Sequence, residues 1–257
     1  MTTPEVIVHR DAMLLARAAA ARLVTKLVDV QSARGSASIV LTGGGVGTAT
    51  LAELRQIPAR DAVDWSRVDV WWGDERFLAA GDPERNETQA RAALLDHVRL
   101  DPSRVHAITP LGEAPDPETA ASRYAAALLA AAQPEDHGPV PQFDVLLLGV
   151  GPDAHVASLF PESPAMYDER PVVGIHGAPK PPPNRVSMTL AAINSAREIW
   201  LLAAGPDKAR AVSLALSGAG GVQVPAAAVA GRRRTLYLLD TAAASKLPPG
   251  LNRLASP

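Results

Sequence analysis

Short apolar runs alternate along this chain with longer stretches whose apolar residues recur at helical spacing. Glu5 to His9 alternates like a strand. Asp11 to about Ser32 is Ala-rich, with Leu14, Leu15, Ala18, Leu23, Leu27 and Val28 at helical intervals. Ser38 to Leu41 is a second strand running into TGGGVGT, Thr42 to Thr48, after which helical composition resumes through Leu54. Val68 to Trp72 reads as a third strand, Asn86 to Leu95 as a helix, and Val105 to Ile108 as a short strand. Pro117 to Ala132 is a helix opened by Pro-Glu. The connection Gln133 to Pro141, rich in Pro, Gly and charge, precedes the unbroken run Val145 to Leu148, which suits a strand buried on both faces of a parallel sheet. The pattern then turns strand-rich: Pro171 to Ile175, Arg185 to Leu190 after the stiff loop GAPKPPPN, Glu198 to Ala203, and Thr235 to Leu239, with a helix to about Leu216 between the last two. Strands alternating with helices, with no internal repeat, predict an α/β fold: a Rossmann-like parallel sheet sandwiched by helices with a smaller strand-rich part, as a single domain over 1–257.

Composition narrows the function classes. Of 257 residues, 47% are hydrophobic and 20% charged, which predicts a packed core rather than disorder. A net charge of -2 supplies no field for gripping a polyanion, so nucleic acid is not an expected partner, whereas two or three local cations suffice for a small phosphorylated ligand. Cysteine is absent, which removes disulfides, thiolate metal sites and cysteine nucleophiles. MTTPEVIVHRDAM shows no secretory pattern and no apolar segment is long enough to span a bilayer, so the expectation is a soluble cytoplasmic protein with no membrane partner.

The candidate chemistry gathers just beyond strand ends, where open α/β sheets bind ligands. After Val145 to Leu148 come Gly149, Gly151, Asp153 and His155: an imidazole that exchanges protons near neutral pH, and a carboxylate two residues away able to orient it. After Ser38 to Leu41 come Gly43, Gly44 and Gly45. No Gly-Lys-Ser/Thr closes that loop, and it fits GxGxxG only with the last glycine missing, which leaves a phosphate cradle or a plain tight turn. Asp74, Glu75 and Arg76 follow VDVWW, Arg185 opens RVSMTL, and Lys208 stands in the first turn of a helix after Gly205.

Read together, TGGGVGT, WWGDERF, Asn86, GVGPDAHVASLFP, the PPPNR loop and the GPDK turn resemble the 6-phosphogluconolactonase family from Glu5 to about Leu239. The resemblance implies the fold shared with glucosamine-6-phosphate deaminase. It also implies hydrolysis of 6-phospho-D-glucono-1,5-lactone to 6-phosphogluconate, without metal or cofactor. A monomer or weak homo-oligomer is expected, although no sequence feature sets the oligomeric state. In this reading His155 serves as base and then acid, Asp153 holds the imidazole or touches sugar hydroxyls, and Arg76 faces the carbonyl with Asp74 orienting Arg76 or the substrate. Gly43, Gly44, Gly45, Arg185 and Lys208 take the phosphate. The chain departs from the family pattern at Ala154, where glycine is usual, so the turn before His155 must tolerate a methyl group. Gly45 and Val46 replace hydroxyl residues, Phe77-Leu78-Ala79 replaces valine-proline, and Ser187 replaces threonine. Deaminases of this fold carry glutamate five residues after the equivalent histidine; this chain has Phe160 there. Sugar-sensing regulators need an added DNA-binding segment, for which the strand at Glu5 leaves no room. A dinucleotide enzyme needs a ribose-binding acid, and Asp69, at about the right distance, lies inside VDVWW rather than at its end.

Overall fold

The computed structural model describes residues 3–136, 138–251 and 253–255; His137 of the expected linker and the outermost residues of the expected 1–257 domain lie outside them. The described chain runs β1 (Glu5–His9), α1 (Ala12–Arg34), β2 (Ala37–Leu41), α2 (Gly45–Gln56), β3 (Val68–Trp72), β4 (Asp74–Arg76), α3 (Asn86–Ala93) and α4 (Pro117–Ala131). It continues with β5 (Val145–Gly149), β6 (Val172–Ile175), β7 (Arg185–Met188), α5 (Leu190–Ile193), β8 (Glu198–Ala203), α6 (Ala209–Leu216), β9 (Arg234–Asp240) and β10 (Arg253–Ala255). Local chemistry fixes the helix ends. Asp11 accepts the Leu14 N–H at 2.8 Å to start α1, and Asp116 accepts the Thr119 N–H at 2.7 Å to start α4.

Among the described residues the large sheet is ordered β10-β1-β9-β8-β5-β2-β3, with every neighbouring pair parallel. Val145 to Leu148 of β5 are fully buried, as a continuous apolar run demands. β2 and β5 are neighbours, yet β2 leads to β3 at one edge while β5 leads to β8 and β9 on the other side. A crevice therefore opens between their carboxyl ends, which is where ligands bind in sheets of this kind.

A small antiparallel sheet, β4-β7-β6, stands beside that crevice. Gly73 joins the two sheets: its N–H donates to Leu41 O at 3.0 Å in the large sheet, and its carbonyl accepts from Met188 N at 2.8 Å in the small one. Asp74 to Arg76, beyond the end of β3, is thus a short strand of its own. Three expectations change. Val105 to Ile108 is no strand but a single bridge to Val70, with the His106 N–H donating to Val70 O at 2.9 Å; the turn at Pro102–Arg104 and the nearby Pro110 leave no length for more. The strand from Arg185 stops at Met188 because Leu190 begins a helical turn, and the helix from Asn86 stops at Ala93 before a separate turn at Leu95–His97. β10, which pairs with β1, has no expected counterpart.

The outer edge of β3 is closed by a hydroxyl. The Tyr124 O–H of α4 donates to Trp72 O at 3.1 Å and accepts from Trp72 N at 2.8 Å, all within a buried environment. Tyr124→Phe leaves that amide and carbonyl unpaired, and is expected to cost about 1–3 kcal/mol. Urea unfolding midpoints check this; an unchanged midpoint would show that the edge needs no such partner.

Candidate active site

The site grows from the exit of β5. Gly149 N–H donates to Thr42 Oγ1 at 3.2 Å, tying this exit to that of β2. The chain then folds back tightly: Gly151 N–H donates to His155 O and Ala154 N–H to Gly151 O, both at 2.9 Å. Closing this turn puts Ala154 at φ 68°, in the left-handed region that glycine tolerates best. The turn lays Asp153 and His155 directly over Gly151. A Cβ at 151 would lie 2.0 Å from His155 Nδ1 and 2.6 Å from Asp153 Oδ1, so only glycine fits.

His155 Nδ1 and Asp153 Oδ1 are 2.5 Å apart. With the carboxylate ionised, Nδ1 carries the hydrogen and Nε2 keeps its lone pair, so the imidazole is set up as a base at Nε2. The Lys180 ammonium donates to the same Asp153 oxygen at 3.0 Å and stands 3.3 Å from Nδ1. Burial pushes the Asp153 carboxyl upward, but the hydrogen bonds and charges of His155 and Lys180 outweigh it and hold the group well below the usual carboxylate range. Asp153 therefore stays ionised throughout the neutral range. Phe160 packs against the imidazole, ring centroids 4.6 Å apart.

The small sheet supplies the facing wall. Asp74 does not pair with Arg76: its Oδ2 accepts from Ser158 Oγ at 2.7 Å, and its main-chain oxygen accepts from Asn86 Nδ2 at 2.8 Å. Arg76 reaches instead to Glu84 O, at 2.5 Å from Nη1. The two side chains share one face of β4, but each is engaged by a different neighbour, which leaves ligand contact as the remaining part of what was expected of Asp74.

Arg185, only 6% exposed, is fixed by main-chain carbonyls of the proline loop: Pro182 O at 3.1 Å from Nε, and Lys180 O at 3.1 Å and Pro181 O at 2.9 Å from Nη2. Its guanidinium carbon lies 5.7 Å from the Phe160 ring centroid. Burial lowers the Arg185 pKa, Asp74 raises it and Arg76 lowers it again. Lys208 caps the start of α6 and pairs with the exposed Asp207 at 3.2 Å.

These groups enclose a cleft of about 410 Å³. Of the residues nominated from sequence, Asp74, Arg76, His155, Gly43, Gly44, Arg185 and Lys208 line it. Asp153 stands behind His155, and Gly45 is the first residue of α2 rather than part of the wall. Gly43 is pressed against Asn86, whose Oδ1 would be 1.9 Å from any Cβ placed there. Four cations, Arg76, Lys180, Arg185 and Lys208, line the cleft with a single carboxylate, Asp74, and α2 begins at its wall. That excess suits an anion. A larger hollow of about 640 Å³ at the opposite rim holds cations already engaged, Arg34 by Asp144 and Arg104 by Asp69. Asp69 is thereby spent far from the Gly43 loop.

Lys180 and Ser158 were not singled out by sequence reasoning as site residues. The only sign of Lys180 was a lone cation in GAPKPPPN, and Ser158 was one residue within GVGPDAHVASLFP. Among the described residues, no three His, Asp or Glu side chains are grouped as for a metal ion.

A parallel α/β sheet with a cation-rich cleft at its switch point defines a class of proteins that handle small anionic ligands. The chain belongs to the family described as glucosamine-6-phosphate isomerases/6-phosphogluconolactonase, whose model matches residues 10–238. It is 64% identical to a 6-phosphogluconolactonase of Streptomyces coelicolor over 99% of this chain and 98% of that one. It is 48% identical to a 6-phosphogluconolactonase of Mycobacterium tuberculosis over 93% of this chain and 96% of that one. The solved 6-phosphogluconolactonase of Trypanosoma brucei superposes with a TM-score of 0.82 at 29% identity, covering 96% of this chain and all of that one. Within the family, then, the similarity runs to enzymes of the lactonase kind.

Ala154 gives a direct check on the turn. Ala154→Gly relieves about 1 kcal/mol of left-handed strain while losing about 0.8 kcal/mol of buried methyl, so its stability is expected to match the parent. Ala154→Val places a branched side chain in the same buried conformation and is expected to be severely destabilised. Chemical denaturation of both variants tests the pair.

Proposed function

We propose that this protein hydrolyses 6-phospho-D-glucono-1,5-lactone to 6-phospho-D-gluconate, the lactone-opening step of the oxidative pentose phosphate pathway, with His155 as general base. The observation that carries the reading is the ionised Asp153 beneath His155 Nδ1, in a cleft otherwise lined with cations. Nε2 takes a proton from water as its oxygen attacks the lactone carbonyl. When the tetrahedral intermediate collapses, the ring C–O bond breaks and the imidazolium returns the proton to the departing oxygen. Arg76 stabilises the oxyanion, and Asp153 offsets the transient imidazolium charge. Lys180, which donates to the same Asp153 oxygen as the ring, helps hold that carboxylate in place.

The phosphate sits at Gly43, Gly44 and the start of α2, with Arg185 and Lys208 as charge partners. Anchoring that remote group turns binding energy into orientation at the lactone carbon. Each group the step needs is supplied by the chain itself, so the proposed reaction is independent of metal and cofactor. Phe160, standing where a deaminase would place a glutamate, favours hydrolysis over deamination of the same class of sugar phosphate. No described helix is long and apolar enough to cross a membrane, and the reading takes the protein as a cytoplasmic enzyme, monomeric or weakly homo-oligomeric.

The test is a coupled assay in which glucose-6-phosphate dehydrogenase generates the lactone and its decay is followed with and without this protein. Acceleration over spontaneous hydrolysis is expected. His155→Ala is expected to lower kcat by about 10²–10⁴-fold with KM little changed. Arg185→Ala is expected mainly to raise KM. A fully active His155→Ala enzyme would overturn the mechanism.

A further inference from the structure

Directly behind the cleft wall lies a carboxylate that the proposed mechanism does not use. Glu75, 1% exposed, is the middle residue of β4. Its Oε1 accepts from the main-chain N–H of Arg76 at 2.8 Å and of Asn86 at 2.6 Å; its Oε2 accepts from Glu87 N–H at 2.9 Å. Arg85 Nη2 stands 3.7 Å from Oε2, but its hydrogen bonds go to Ile108 O at 2.8 Å and Glu87 Oε2 at 3.1 Å. The chain between β4 and α3 thus leaves from this carboxylate and returns to it, Arg76 N–H and Asn86 N–H sharing Oε1. Asn86 and Glu87, whose N–H groups it accepts, are the first two residues of α3.

We propose that Glu75 is a positioning residue that sets the spacing between the Arg76 wall and the Gly43 loop across the cleft. Two of its contacts end on cleft residues. Arg76 is held at its main-chain nitrogen. Asn86 is held at the helix start, donates through Nδ2 to Asp74 O, and lays its Oδ1 against Gly43 so closely that no Cβ fits between them. A shift of Asn86 is therefore passed straight to Gly43, and an ångström of misplacement is enough to weaken a preorganised site substantially. The residue type follows from the donors. Three N–H groups converge on two oxygens, which calls for an acceptor-only group; glutamine presents a donor to one of them, and aspartate falls one methylene short.

This placement is maintained against a cost in burial. Burial raises the Glu75 carboxyl to about 7, against the downward pull of Arg85 and of the Glu87, Asn86 and Arg76 N–H groups. The charged and titratable groups around it are Arg85 and Glu87 at the start of α3 and Tyr124 from α4. Because the folded value is raised above the ordinary 4.5, the associated stability is fully present below about 4.5 and is lost as pH rises through about 7. The ionised form, which satisfies all three donors, is thus gained at the expense of stability, a trade expected of a site rather than of a core.

The inference rests on the lactonase reading, and the test separates the two. Full-length wild type, Glu75→Gln and Glu75→Asp are compared for kcat and KM on the lactone, for 6-phosphogluconate affinity by calorimetry, and for thermal melting from pH 5 to 8. Glu75→Gln is expected to raise KM and the product Kd by about 10-fold or more, and to lower kcat as well because Arg76 moves with the wall. Its melting curve is expected to lack the wild-type decline in stability toward pH 7. Glu75→Asp, which restores the charge, is expected to recover part of the KM; it decides the matter if Glu75→Gln does not fold. A folded variant with wild-type KM and product Kd would overturn the proposal. Wild type that fails to open the lactone would instead sink the assigned reaction.

Discussion

The contact between Asp153 and His155 depends on a residue with no side chain. At the end of β5 the main chain turns back on itself, and Gly151 is where the imidazole and the carboxylate both come to rest. The rest of the cleft is arranged around that turn. Ala154 accepts a left-handed conformation to close it, the Ala226 N–H secures it at Ala154 O, and Thr42 ties its base to the neighbouring strand. A strand buried on both faces supplies the rigid platform, because its position is fixed by packing on either side and by ladders to β2 and β8.

Electrostatics then separates two kinds of cation in the cleft. Arg185 is nearly buried and gives three hydrogen bonds to carbonyls of the proline loop, so its orientation is set before any ligand arrives. Lys180 and Lys208 are point charges on flexible stems, paired with Asp153 and Asp207. A preorganised guanidinium loses little entropy on meeting an anion, whereas the lysines exchange one partner for another. Keeping the acidic residues few and individually engaged, Asp74 by Ser158 and Asn86, preserves the positive field of the opening.

How much of this was legible in the sequence depended on whether a residue's neighbours were local. The β5 run and the glycine turn after it are set within a dozen residues, and their pattern announced them; that Asp153 meets His155 was one of two roles the spacing left open, and the structure puts the two side chains 2.5 Å apart. Ala154 stood out only against the family pattern, which has glycine there, and its left-handed φ came with the structure. Lys180 was not legible, because it meets Asp153 only when the loop before β7 folds across the small sheet, a contact spanning 27 positions. Ser158 and Asp74 are 84 positions apart, and nothing in either neighbourhood names the other. Val105 to Ile108 misled for the opposite reason: its residues favour a strand, but flanking turns leave room for one bridge along β3.

Phe160 shows how the parts are joined. Its ring centroid lies 4.6 Å from that of the His155 imidazole and 5.7 Å from the guanidinium carbon of Arg185. In the proposed reaction one of these groups handles the proton and the other the phosphate, and a single buried aromatic side chain holds them at a fixed separation. Aromatic rings suit that task, since they fill volume rigidly and present a face that tolerates positive charge. Arg185 also bonds the carbonyl of Lys180, so the phosphate partner and the lysine beside the base are set by the same short loop. Binding at one end of the cleft is thereby linked to the placement of the base at the other through packed side chains and main-chain hydrogen bonds, with no need for a mobile lid.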